Sequence, residues 1–369
     1  MFDNPESCFE ALTDTRRENK NKIHKLSDIV FLVLAAVISG IEDWVGMEIW
    51  ADAKQAWLRK YIGLANGIPS HDTLRAVMSR IKPEEFNVAF TKWVQTELPT
   101  LMGCHIAVDG KTLRGSRNEQ GAVHMMSAFA AKARVVLTQH PCEDKSNEIT
   151  AIPDLLSFLE LKGAIVTIDA MGCQKNIAKQ IVDEDADYVL ALKENQPTLY
   201  AEAKRILDEE IQADRLPMRE TIDRAHGRTE IRTFGLSTKL DEISKKADWA
   251  GLAAIGIAQT IRDVQGVVSV ESRYFITSIT DPVRFQEVVR DHWAIETSQH
   301  WVLDVQFGED RNRTRKDTGA INLALIRRMS LNMLRCNGNQ RGSIRSRKIR
   351  AGADDTARAE YIFGAAQQM

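Results

Sequence analysis

The sequence predicts an α/β protein: an all-helical N-terminal domain, then a mixed strand–helix core interrupted by a mostly β insertion. Two observations carry this. Apolar residues up to about position 100 recur at helical spacing, and from about Leu101 they gather into short β-branched runs separated by helical stretches. At 369 residues the chain is long for one compact core. The expected division is a helical domain over 1–100, a core over 101–336 with its insertion at about 193–272, and a tail over 337–369 that is basic and partly flexible.

Taken in order, Ser27 or Asp28 caps a first long helix that runs through Ile38 and stops at Gly40. A second helix spans roughly Asp43–Tyr61, with Trp44, Met47, Trp50 and Trp57 on one stripe. Gly67-Ile68-Pro69 turns the chain, Ser70 or Asp72 caps a helix over Thr73–Ile81, and Pro83 opens another. His105–Val108, Ala122–Ala130 and Ala133–Gln139 read as antiparallel strands. A helix at Ile152–Leu161 follows, with Pro153 in its first turn. Then come a strand at Ala164–Ile168, a helix at Lys175–Glu184 and a strand at Tyr188–Leu192. This βββαβαβ order is that of the ribonuclease H-like core. A polar helix at about Thr198–Gln212 leads into alternating segments at Arg228–Leu236, Leu252–Thr260 and Tyr274–Ser278, and Asp281–Trp301 reads as one long helix.

Composition narrows the function classes. The chain is 44% hydrophobic and 27% charged, and its longest apolar run, Ile29–Ile38, is about half of what a bilayer requires. Met1–Glu10 is polar, and five scattered cysteines without a CxxC pair fit a reducing cytoplasm rather than a disulfide or zinc framework. The net charge of −2 hides a segregation: between Arg311 and Arg350 there are twelve Lys/Arg and one acid, Asp317. Such a stretch predicts a basic surface that neutralises phosphates.

Three acids stand in informative places. Asp109 in HIAVDGKTLRG and Asp169 in AIVTIDAMGCQ each end a β-branched run, and Glu296 in RDHWAIETSQHW lies on a helix rich in aromatic and basic residues. Carboxylates at neighbouring strand ends, met by a third from a helix, can hold two Mg²⁺ ions, or Mn²⁺ in their place. A pair of such ions about 4 Å apart suits phosphodiester cleavage. Taken singly, each acid has an ordinary reading as a turn former, a loop cap or a surface glutamate.

Seven runs occur in order: HKLSDIVFLVLAAVISG, IPSHDTLRAVMSRI, AVDGKTLRGS, KSNEITAIPDLL, IDAMGCQKNIA, AHGRTEIR and HWAIETSQHWVLDVQFGEDRNR. Together they make the chain resemble the DDE-type insertion-sequence transposases, most closely the H-repeat-associated proteins, from about His24 to about Leu334. The resemblance implies a ribonuclease H-like core, a β insertion before the last catalytic helix, and Asp109, Asp169 and Glu296 as the metal-binding catalytic triad. It also implies double-stranded DNA as partner, both element ends and target, with a homodimer assembled on that DNA at the nucleoid. The chain departs from the wider group at Val289, His292 and Leu303, where relatives carry Tyr, Arg and Lys, so roles held by those residues do not transfer.

Other residues follow with lesser weight. Lys111, Arg114 and Lys193 flank the strand ends and are candidates for phosphate, as are His226 and Arg228 in the insertion and Arg311, Arg313, Arg315, Arg345, Arg347, Lys348 and Arg350. His292, Glu296 and His300 share a helix face, but an outer pair about 12 Å apart at 1.5 Å per residue cannot close on one zinc ion. His292 or His300 is expected to flank the metal site, touching phosphate or holding Glu296 in place. Glu148, Asp304, Glu309 and Asp310 are the rival acids. The helix with Arg75 and Arg80 can be read as a DNA-recognition helix or as an ordinary bundle helix with exposed arginines.

Overall fold

In a computed structural model, which describes residues 5–18, 22–119, 121–142, 147–225, 228–264 and 267–364, the protein is mixed α/β around one large sheet. The helices α1 (Glu6–Glu10), α2 (Leu26–Ile38), α3 (Trp44–Ala53), α4 (Gln55–Leu58), α5 (His71–Met78) and α6 (Pro83–Glu97) come first. The chain then forms β1 (His105–Thr112), β2 (His124–Ala130), β3 (Val135–Cys142), α7 (Glu148–Leu156), β4 (Ile165–Ile168), α8 (Lys175–Asp183) and β5 (Asp187–Leu192). After α9 (Pro197–Gln212) come β6 (Arg219–Ala225), β7 (Arg228–Ser237), β8 (Ala254–Val264) and β9 (Val267–Thr277). The chain closes with α10 (Pro282–His292), a π-helical turn at Ile295–His300, α11 (Trp301–Phe307), α12 (Gly319–Cys336), α13 (Ile344–Ala353) and α14 (Asp355–Phe363). Among the described residues no helix is long and apolar enough to cross a membrane.

The sheet runs β3-β2-β1-β4-β5-β9-β8-β7-β6. β4 is parallel to both β1 and β5, and every other pairing is antiparallel. Near-continuous apolar runs form β1, β4 and β5 because helices cover both of their faces. The main core joins these strands to the N-terminal helices, so packing crosses residue 100 rather than stopping there. Asn87 of α6 donates to Thr138 of β3 at 2.9 Å, and Asn322 of α12 donates to the carbonyls of Met78 and Ile81. α2, buried on nearly every residue, packs against α12, α13 and α14.

Several expectations are corrected. Lys25, without a side-chain bond, occupies the N-cap of α2, and Ser27 and Asp28 fall inside its first turn. The second helix breaks at Lys54 into α3 and α4. Ser70 does cap α5, by accepting from the Thr73 amide, but the helix ends before Arg80, and Arg75 is bonded to Asp72 at 2.7 Å. α7 starts at Glu148, which leaves Pro153 mid-helix; a buried contact of Glu148 with His124 draws the start back. β6 was not expected, because RETIDRA has no apolar alternation. β8 and β9 extend to Val264 and back to Val267. The long last helix is interrupted: α10 ends at His292 and the π turn follows. Residues 344–363, read as part of a partly flexible tail, form two helices with buried Ala351, Tyr361, Ile362 and Phe363.

Candidate active site

Asp109 lies in β1 opposite Ser127 of β2, one residue beyond the Val108–Ile168 pair with β4. Asp169 follows β4 directly and caps a short 3₁₀ turn, accepting from the Met171 amide at 3.1 Å. Parallel pairing therefore brings the two acids to the same end of adjacent strands, as in open parallel sheets whose ligands sit at the strands' carboxyl ends. Glu296 arrives from the π turn and is exposed. All three line one cleft of about 780 Å³, together with Thr167, Lys193, Tyr200, Glu271, Arg273, His292 and Trp293.

The electrostatics are those of crowded acids. Burial pushes the Asp109 carboxyl up to about 7; Asp169, Glu296 and Glu148 add to the rise, and a 2.8 Å bond from the Gly110 amide opposes it. Asp169 is raised too, first by burial and then by Glu148, against the Met171 and Gly172 amides and the Lys193 charge. A compensating cation would relieve both strains, and the donor set is all oxygen, which suits a hard divalent ion. Yet among the described residues no three His, Cys, Asp or Glu side chains converge closely enough to hold one metal ion. The carboxylates flank the cleft without closing on a point.

The histidines divide as follows. Thr167 Oγ1 lies 2.7 Å from both His105 Nε2 and His292 Nδ1, so a single hydroxyl joins two imidazoles behind the cleft. Burial pushes His105 down to about 3, aided by His292 and Arg284, and His292 down to about 4, aided by Arg273. Arg273 also stacks on Trp293, 4.7 Å from the ring centre. His300 Nδ1 is 3.5 Å from Asp109 Oδ2, and burial, with Arg328 and Lys111, pushes His300 down to about 3. His292 lines the cleft wall, and His300 lies against Asp109 itself.

Among the rival acids, Glu148 is buried and lies 2.7 Å from His124 Nε2. This pair backs Gly110, where an added Cβ would sit 2.4 Å from His124 Nε2 and 2.7 Å from Glu148 Oε1. The other three rivals belong to a separate cluster. Lys111, expected to take phosphate, is buried and ion-paired to Asp304, Glu309 and Asp310 at 2.7, 3.2 and 3.0 Å. Burial alone would lower its ammonium, but these carboxylates outweigh it and hold it above the usual lysine range. Glu309 in turn pairs with fully buried Arg328 at 2.9 Å. Burial would raise its carboxyl, whereas Arg328, Lys111 and Arg327 hold it down at about 2.

The expected basic surface is therefore smaller than the count of twelve. Arg327, Arg328 and Lys348 are buried. The Lys348 ammonium donates to the Gln306 carbonyl and sits 4.2 Å from the Phe307 ring centre, and burial pushes it down to about 8. Arg347 donates to the carbonyls of Leu334 and Gln340, and Arg350 is half-buried. Arg311, Arg313, Arg315 and Arg345 are exposed, as are Arg114 and Lys193. Arg228 opens β7, and His226 lies outside the described residues. Sequence reasoning missed His105, His124, Thr167 and Arg273. Their partners are distant in the chain, so no spacing betrays them.

The chain is similar to known proteins along most of its length. The Transposase DDE domain family matches residues 101–333, and the DDE_Tnp_1-associated family matches residues 6–94. The putative transposase YncI of Escherichia coli O157:H7 is 39% identical over 98% of this chain and 94% of that protein. The H repeat-associated putative transposase YhhI of Escherichia coli K12 is 35% identical over 92% of this chain and 93% of that protein. Among solved structures, the piggyBac transposase synaptic complex with hairpin DNA aligns with a TM-score of 0.43 at 11% identity, over 100% of this chain and 83% of that one. The chain belongs to the DDE transposase domain family.

Proposed function

We propose that the protein is a transposase that cuts phosphodiester bonds at the ends of an insertion element and joins the freed 3′ hydroxyl to target DNA. The observation that carries this reading is the meeting of Asp109, Asp169 and Glu296 in one cleft, with the Asp109 and Asp169 carboxyls raised by burial first and by neighbouring acids second. The β3-β2-β1-β4-β5 part of the sheet, with β1, β4 and β5 parallel, supports reading the core as ribonuclease H-like. β6 to β9 form its β insertion, and the N-terminal helices are its candidate end-recognition region.

Asp109 and Asp169 would hold divalent metal, Mg²⁺ or Mn²⁺, with Glu296 completing the set. Bound there, two such ions supply Lewis acidity to the attacking and leaving oxygens. The chain's own contribution is orientation. The Gly110 and Met171 amides fix one oxygen each of Asp109 and Asp169, and His300 supports the other oxygen of Asp109. Lys193 and Arg273, the latter bonded to Glu271 at 2.8 Å, line the same cleft and would meet phosphate. Exposed Arg114, Arg311, Arg313, Arg315 and Arg345 are the proposed backbone contacts of a homodimer assembled on DNA. Water is the first nucleophile and a DNA 3′ hydroxyl the second, so no covalent protein–DNA intermediate is required.

The open spacing of the acids favours one second reading, a DNA-binding relative that does not cut. Cleavage and retention of terminal-repeat DNA, measured side by side, separate the two. Asp109→Asn, Asp169→Asn and Glu296→Gln should each reduce cutting by about 10³-fold or more, non-additively, with binding kept. Glu148→Gln should cost less than any of them. Wild-type protein that binds but never cuts in Mg²⁺ or Mn²⁺ would establish the second reading. A Glu296→Gln variant that cuts normally would remove the third assignment.

A further inference from the structure

β6 is the outer edge of the nine-stranded sheet, and Glu220 and Arg224, of opposite charge, stand two residues to either side of its central Ile222. Arg219-Glu220-Thr221-Ile222-Asp223-Arg224-Ala225 has two cations, two acids and a middle isoleucine. Ala225 pairs with Arg228 across two intervening residues, which makes them a hydrogen-bonded pair of an antiparallel hairpin. By alternation Thr221 and Asp223 bond to β7, whereas Glu220, Ile222 and Arg224 turn their N–H and C=O groups outward. Among the described residues no other strand or loop backbone bonds to them.

The two faces of this arm differ. α10 attends one: Arg219 donates to Gln286 at 2.7 Å, and Arg290 lies 3.7 Å from Asp223. The other carries an apolar row in register, Ile222 opposite Ile231, Ile231 opposite Ile261, and Ile261 opposite Val270. Ile222 is 50% exposed, and neither Glu220 nor Arg224 has an ion-pair partner among the described residues. Natural sheets blunt such edges with bulges, proline or charged side chains, because a bare edge templates another strand. β6 has no proline, and its two cations and two acids sum to zero, so its charges repel a copy only in the wrong register.

We infer that β6 pairs antiparallel with β6 of a second copy of this chain, about a twofold axis through Ile222. In that register Glu220 of each copy faces Arg224 of the other, twice, and Ile222 faces itself. A shift of two residues in either direction loses outward hydrogen bonds and sets Ile222 against Glu220 or Arg224. Charge complementarity therefore selects one register. The inference deepens the homodimer of the proposed function and rests on it only in that two copies must meet.

Ile222→Cys tests it in the full chain. Hydrogen-bonded antiparallel partners have Cα atoms about 5.5 Å apart, within disulfide range. On mild oxidation I222C should form a covalent dimer in large excess over wild type, with its five native cysteines, and over Val268→Cys on the same face. Adding Glu220→Arg places like charges opposite each other twice and should lower dimer yield about ten-fold, and Arg224→Glu on top should restore it. A folded I222C protein that does not crosslink, or crosslinking indifferent to E220R, overturns the pairing. So does a protein that stays monomeric while Arg224→Glu alone weakens duplex-DNA binding, which would give the edge to DNA. Cleavage is read separately: crosslinking without cutting removes the transposase reading and leaves the edge pairing standing.

Discussion

Two sets of charges in this molecule look alike in composition and differ in everything else. Inside, buried Lys111, Glu309 and Arg328 form a cluster that links β1 to α12, with half-buried Asp304 and Asp310 at its edge. Outside, Arg311, Arg313, Arg315 and Arg345 are exposed on the same C-terminal third of the chain, with Arg311 loosely paired to Glu42 at 3.4 Å and Arg315 donating to the Gly115 carbonyl at 3.2 Å. Buried charges lose their hydration and must find one another, so each fixes the position of its partners. Exposed charges keep their water and fix little, which leaves them free to meet a phosphate. Basic content alone therefore overstates the surface available to DNA.

The contrast is most sharply tested at Glu309. Glu309→Gln would leave Arg328 and Lys111 with less than their compensating charge in a site without solvent, and should lower unfolding free energy by about 3–5 kcal/mol. Urea denaturation measures this. A midpoint close to wild type would mean that the cluster is hydrated and the contrast false.

A smaller effect is expected from acid. His105 and His292 are held neutral, at about 3 and about 4, against an ordinary value of 6.5. Below about pH 6.5 the unfolded chain takes up protons that the folded one refuses, so stability is full above that pH and falls as pH drops towards the folded values. The slope should be at most roughly 1.4 kcal/mol per pH unit for each ring. Urea midpoints between pH 7 and 5 give the slope, and His105→Gln should flatten it. An unaltered slope in that variant would assign the acid sensitivity elsewhere.

The smallest effect belongs to the rim. Arg345→Gln should leave stability within about 0.5 kcal/mol and lower the slope of log K against log[salt] for DNA by about 0.9 if Arg345 meets a phosphate. Lys348→Gln, three residues on, should do the reverse, disturbing the Gln306 and Phe307 contacts and leaving the salt slope alone. Equal salt slopes for wild type and R345Q would take the rim at this position off the DNA.

Much of the inner sheet was legible because β1, β4 and β5 each hold an apolar run; all three were placed within a few residues, although β1 continues past Asp109 to Thr112, whereas Asp169 does follow β4 directly. β6 was invisible because a strand recruited by its neighbour needs no apolar pattern of its own. The break before Glu296 was equally hidden, since Asp281–Trp301 has helical spacing throughout and contains no glycine, and no proline beyond Pro282. Burial of Arg328 and Lys348 was misread for a related reason: on a helix, a charged residue's exposure depends on what packs against it, which the local sequence does not record.

The hydroxyl between His105 and His292 has a consequence for which ring atom holds a proton. Thr167 owns one hydrogen, so it can donate to one imidazole nitrogen and must accept from the other. The two tautomers are thereby locked together. His105 Nδ1 is buried with no hydrogen-bond partner among the described residues. A bare nitrogen is easier to leave there than an orphaned N–H, so His105 carries its hydrogen on Nε2 and donates to Thr167. Thr167 then donates to His292 Nδ1, which leaves the single hydrogen of His292 on Nε2. The ring that lines the cleft is thus set as a neutral hydrogen-bond donor by a histidine on the next strand, with no charge moved to achieve it.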